Sequence, residues 1–154
     1  MRRVYLQPAE FEHPPAPFRR GEAGLVWLGA DETLHTDTRV RLSANATHAL
    51  EGHGVLDALN ELPLEGLLGE GRDVIVPQRA LAGVSELLYE ADRKTYGGSW
   101  EFVLGGVSCE GLDESESVEY RIRVDNRDYQ RNLLRLTDLL ALASRRGHAA
   151  RLRL

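Results

Sequence analysis

The strongest constraint on the fold is the period-two alternation of residues 117–125. Val118, Tyr120, Ile122 and Val124 fall on one side, and Glu119, Arg121, Arg123 and Asp125 on the other. Successive side chains of a strand point to opposite faces, so this segment reads as a strand with one buried and one open face. Residues 34–42 repeat the pattern, with Thr36, Thr38, Val40 and Leu42 opposing Asp37, Arg39 and Arg41. Residues 24–29 read as a more buried strand, and the polar turn Ala30-Asp31-Glu32 joins the two as a hairpin. Residues 99–108 carry Trp100, Phe102 and Leu104 on one face, and the acidic stretch Glu110 to Glu116 links them to 117–125 as a second hairpin. Val4 to Leu6 suits a short edge strand, and Arg151-Leu152-Arg153-Leu154 alternates like a last strand.

Between the strands lie helical periods. In residues 77–95, Ala80, Leu81, Val84, Leu87, Leu88 and Ala91 form an apolar stripe, Pro77 suits the first helical position, and Gly97-Gly98 ends the run. Residues 128–146 carry leucines at 133, 134, 136, 139, 140 and 142 around most of a helix, which predicts a central core helix. Asn126 or Asp128 suits its start and Gly147 its end. Residues 43–73 contain Gly52, Gly54, Gly66, Gly69 and Gly71, which bar one long helix; Val55 to Leu62 suits two turns, and 64–72 reads as a loop. Residues 7–20 carry Pro8, Pro14, Pro15 and Pro17 and read as an extended connector. The expectation is one domain over 1–154, an α+β two-layer sandwich. Its largely antiparallel sheet has about five to six strands, with helices packed on one face.

Composition narrows the function. Nineteen basic against twenty-four acidic residues give a net charge of −5, which disfavours non-specific nucleic-acid binding. Cys109 is the single cysteine, so no internal disulfide or cysteine-based zinc site is expected, and a reducing cytoplasm is the simplest location. No apolar run approaches the ~18 residues of a membrane span, and Met1 to Pro8 does not read as a secretory signal. Lys94 is the only lysine, a bias of the kind seen in GC-rich bacterial genomes, so arginine enrichment is weak evidence for anion binding.

Catalytic signals are sparse. His48, Glu51 and His53 are the one local set of metal-ligand types, but on a helix positions five apart diverge by roughly 140°, so no metal or other cofactor is expected. Cys109 lacks a partner base in sequence, no Gly-x-Ser-x-Gly motif occurs, and Glu110, Asp113, Glu114 and Glu116 lack calcium-loop spacing. The more distinctive feature is the open sheet face. Arg39, Arg41, Arg121, Arg123, Arg151 and Arg153 are expected to share it with Glu101 and Glu119, and with Asp37 and Asp125. The bland account is a solvated array of ion pairs; the functional one is a recognition surface. The sequence thus points to a non-catalytic protein-binding module that meets a protein partner or a second copy through this face or a sheet edge. An inhibitor or immunity-type bacterial protein belongs to that class. The alternatives are a small enzyme with a pocket near residues 43–73 and nucleic-acid binding through the arginine face.

Overall fold

The computed structural model describes residues 2–8, 21–107 and 117–154. The strands are β1 (Arg2–Leu6), β2 (Glu22–Leu28), β3 (Leu34–Arg41), β4 (Asp73–Val76), β5 (Ser99–Val107), β6 (Val118–Asp125) and β7 (Ala149–Arg153). The helices are α1 (Ala44–Gly52), α2 (Val55–Leu59), α3 (Gln78–Lys94) and α4 (Asn126–Arg146). The class is α+β, with helices packed against sheet.

The strands divide between two sheets, where one was expected. One has the order β1-β6-β5 and the other β3-β2-β7-β4. Among the described residues every strand pairing is antiparallel except β1 with β6, which is parallel, an arrangement that needs a long connection such as the one between these two strands. Helix α4 explains how one chain covers two sheets. It contacts β6 of the first, β2, β3 and β7 of the second, and both α1 and α3. Leu136 and Leu140 are fully buried, and so is Tyr129. The leucines do not ring the helix completely, since Leu134 is 62% exposed.

Local signals place these elements. Ser43 caps α1, its Oγ accepting from the Ala46 N–H at 3.0 Å. Asp125 caps α4 by accepting from the Asp128 N–H at 3.0 Å, so the cap is neither of the expected residues, Asn126 or Asp128, but the one before them. Gly147 closes α4 in the left-handed region, at φ 67°. The 43–73 segment is more regular than its glycines suggest. α1 and α2 flank His53 and Gly54, where the backbone turns at φ 73°. β4 is four residues long, too short for a period to reveal. Residues 9–20, most of the proline-rich connector, lie outside the described residues, as do Cys109 and the acidic stretch 110–116.

Candidate functional site

The arginines do not meet on one face. Arg121 and Arg123 lie on the outer side of the β1-β6-β5 sheet, whereas Arg39, Arg41, Arg151 and Arg153 belong to the other sheet. On the first sheet Glu101 joins two of them: it meets Arg123 Nη2 at 2.5 Å and Arg121 Nη1 at 3.6 Å. Glu119 pairs with Arg121 and lies 3.7 Å from Arg3. The hydrogen bond from Arg123, followed by the charges of Arg123 and Arg121, holds the Glu101 carboxyl below its ordinary range. On the second sheet the register aligns Arg41, Glu22, Arg153 and Asp73 across four strands, a row of alternating sign. Arg151 lies 3.4 Å from Asp73, and Arg153 donates to the Gly71 carbonyl at 2.7 Å. Asp37 leaves the expected face, and Asp125 is drawn into a helix cap. A register shift between Ala23 and Leu25 puts Asp37 opposite Leu25, where it meets Arg146 of α4 at 3.4 Å, and Asp125 serves as the α4 cap.

A different cluster gathers around His53. This residue caps the C-terminal end of α1, and Gly52 before it is pressed against Phe102; a Cβ there would lie 2.5 Å from the Phe102 ring. That contact turns His53 into a nest of aromatic rings. Its ring centroid lies 4.5 Å from that of Trp100 and 4.8 Å from that of Phe102. It stacks on Tyr129 at 4.9 Å, with 7° between the planes. Trp100 is fixed by donating from Nε1 to the Tyr96 carbonyl at 3.1 Å, and Asn126 Nδ2 donates to the same carbonyl at 2.9 Å. Gln130 Nε2 ties the end of α3 by donating to the Asp92 and Thr95 carbonyls.

Beside these rings is a half-open cavity of about 300 Å³. Its walls come from His53, Gly54, Val55 and Ala58, from Leu87, Glu90, Ala91, Lys94 and Thr95 on and after α3, and from Trp100 and Tyr129. Three buried polar atoms of this region, His53 Nε2, Asn126 Oδ1 and the Tyr129 hydroxyl, have no hydrogen-bond partner. Leaving such a group unsatisfied costs on the order of 1–3 kcal/mol. Desolvation lowers the pKa of His53. The Asn126 side chain is near enough to oppose this, but it does not meet hydrogen-bond geometry. Burial, with a smaller contribution from the Asp92 carboxylate, pushes the Tyr129 phenol well above its ordinary value.

Two other polar constellations are internally satisfied. A more open cleft of about 510 Å³ runs past Ser43, Asn45, Arg123, Asp125 and Asp128. There Ser43 Oγ donates to Asp128 Oδ2 at 2.5 Å, and Asn45 Nδ2 donates to the same oxygen at 2.9 Å and to the Asp125 carbonyl at 2.8 Å. These bonds clasp the starts of α1 and α4 together. At the β2–β3 turn, Thr33 Oγ1 donates to Asp31 Oδ1 at 2.7 Å and lies 3.0 Å from His35 Nε2. Nearby, Trp27 stacks between His35 and His148.

Of the three candidates in residues 48–53, only His53 lines the cavity; His48 and Glu51 remain on α1 outside it. Among the described residues no group of three or more His, Cys, Asp or Glu is placed to hold a metal, and no helix is long and apolar enough to cross a membrane. The place of Tyr129 beside the cavity escapes sequence reasoning, because a tyrosine on an apolar helix reads as core. No family model, curated protein or solved structure matches the chain.

Proposed function

We propose that the protein binds a small molecule in the cavity bounded by His53, Trp100 and Tyr129. The observation that carries this reading is an aromatic-walled cavity two of whose lining residues, His53 and Tyr129, hold buried polar atoms without a partner. Native interiors satisfy most buried polar groups, so two such exceptions beside a concave apolar surface support a ligand site. Binding fits better than catalysis: burial favours neutral His53, and only one of the three candidate groups from residues 48–53 lines the cavity. A screen of small aromatic and aliphatic compounds by amide-correlation NMR tests the reading. Hits should move resonances of residues 53–58, 87–95 and 100. Ala58→Phe, with Ala91→Phe as an independent plug, should abolish them in a folded protein. Hits that map elsewhere, or that survive both plugs, overturn it.

A second reading keeps the protein-recognition role for Glu101, Glu119, Arg121 and Arg123. It is favoured by Tyr5 and Val103, which are 48% and 56% exposed beside these ion pairs. Because each arginine there already meets a glutamate, the face suits a mixed-charge protein surface, such as a second copy, better than nucleic acid. Arg39, Arg41, Arg151 and Arg153 form a separate surface in this reading. Sedimentation across a concentration range should then show a dimer that Arg121→Glu with Arg123→Glu weakens by more than about tenfold. A protein that stays monomeric at every concentration excludes the homodimer.

A further inference from the structure

We infer that the cavity takes a small, uncharged, planar aromatic molecule carrying a hydroxyl or carbonyl oxygen, which accepts a hydrogen bond from the Tyr129 hydroxyl. The inference rests on the reading of this cavity as a ligand site and adds the chemistry of its occupant.

Four features define that chemistry. Shape comes first. The rings of His53, Trp100 and Tyr129 wall one side, and Val55, Ala58, Leu87 and Ala91 supply aliphatic surface. Flat aromatic molecules gain offset-stacked and edge contacts against such walls beyond their buried area. Size follows: about 300 Å³ admits one or two fused rings, at the lower end of small-molecule sites.

Charge is the third feature. Of the two charged lining residues, Glu90 accepts a hydrogen bond from Arg93 at 2.9 Å and Lys94 lies at the end of α3, so neither is shown paired with the other across the cavity. The inner wall is hostile to charge, since burial disfavours both the protonated imidazole of His53 and the phenolate of Tyr129. The occupant is therefore neutral at its inner end.

The fourth feature is the polar handle. Tyr129 is 1% exposed, and its hydroxyl keeps its proton and has no partner. The residue lines the cavity while the oxygen itself is covered, so a ligand oxygen meets this donor through a small opening of the wall. His53 Nε2, equally unpartnered, belongs to the ring stacked on it. A ligand oxygen reaching this wall converts an unsatisfied donor into a hydrogen bond. A purely hydrocarbon ligand of the same shape leaves the penalty in place.

Phenol and toluene separate these cases, because they match closely in size and differ in the oxygen. Each is titrated into the full chain and followed by the Trp100 indole N–H and the amides of residues 53–58 and 87–95. Phenol should bind about fivefold or more tightly than toluene. Tyr129→Phe should remove that preference while leaving toluene affinity unchanged, and the variant's amide spectrum should remain folded. Ala58→Phe should block both. If neither compound binds the wild type, the ligand-site reading fails for aromatic molecules and this inference fails with it. If both bind equally and Tyr129→Phe changes nothing, the site stands and the assigned ligand chemistry is overturned. A phenol preference that persists in Tyr129→Phe overturns the role of the Tyr129 hydroxyl.

Discussion

Tyr129 and His53 carry the argument at the scale of single residues, and each has a measurable signature. A buried hydroxyl without a partner is a liability, so Tyr129→Phe should leave stability unchanged or raise it by up to about 1 kcal/mol in urea denaturation. A loss of more than that would mean the hydroxyl is hydrogen-bonded in solution. His53 gives a pH dependence. Its folded-state pKa lies below the ordinary 6.5, so between those two values the unfolded chain binds more protons than the native one. The stability that neutral His53 retains is present above about pH 6.5 and is lost as pH falls through that window to the folded pKa. His53→Leu should flatten this part of the profile, and an unchanged slope would show that other groups set it. Sequence alone exposed half of this pair. His53 stood out with His48 and Glu51 as the one local set of metal-ligand types, but metal-ligand spacing was the wrong question to ask of it. Its importance comes from ring neighbours far along the chain, at 100, 102 and 129.

Among the elements, the short join between α1 and α2 has the most consequence, because it aims His53. Gly52→Ala would place a methyl group 2.5 Å from the Phe102 ring, which packs against His53 and Trp100. Overpacking of this kind costs about 1–3 kcal/mol, and Trp100 fluorescence should shift as the ring cluster loosens. Gly54→Ala is the control. It meets open space, and its cost, about 1 kcal/mol, comes from the left-handed backbone at φ 73°. Equal fluorescence changes in the two variants would contradict the role given to Gly52. Strands β3, β5 and β6 and helices α3 and α4 were legible because each carries its own period over seven or more residues, and β2 because it is a continuous, mostly apolar run. β4 was not, because four residues of Asp-Val-Ile-Val carry no period and gain their place only by pairing with β7. α1 was obscured by the glycines that follow it. The phase of β3 was misjudged at Asp37, because a register shift is decided by the partner strand.

For the whole molecule, the difference between one sheet and two decides which surface can act. A single sheet would have gathered six arginines into one field. Two sheets sharing α4 separate them into smaller, internally paired sets. The same arrangement opens a cavity where α2, α3, α4 and β5 meet, lined by residues from 53 to 129 in sequence. The β2–β3 and β5–β6 pairings were readable as hairpins, whereas β1–β6, β2–β7 and β4–β7 depend on long-range packing that no local period encodes. Because the cavity joins elements so distant in the chain, it exists only in the folded state, and an occupant stabilises that state by mass action.

Calorimetric melting of the wild type and of Ala58→Phe, each with and without phenol, tests this most directly. At about ten times its dissociation constant, phenol should stabilise the wild type by roughly 1.4 kcal/mol and raise Tm by roughly 3–6 °C relative to the plugged variant. Equal shifts in the two proteins, or no rise in the wild type, would contradict the assignment of the His53–Trp100–Tyr129 cavity as a binding site for small aromatic molecules.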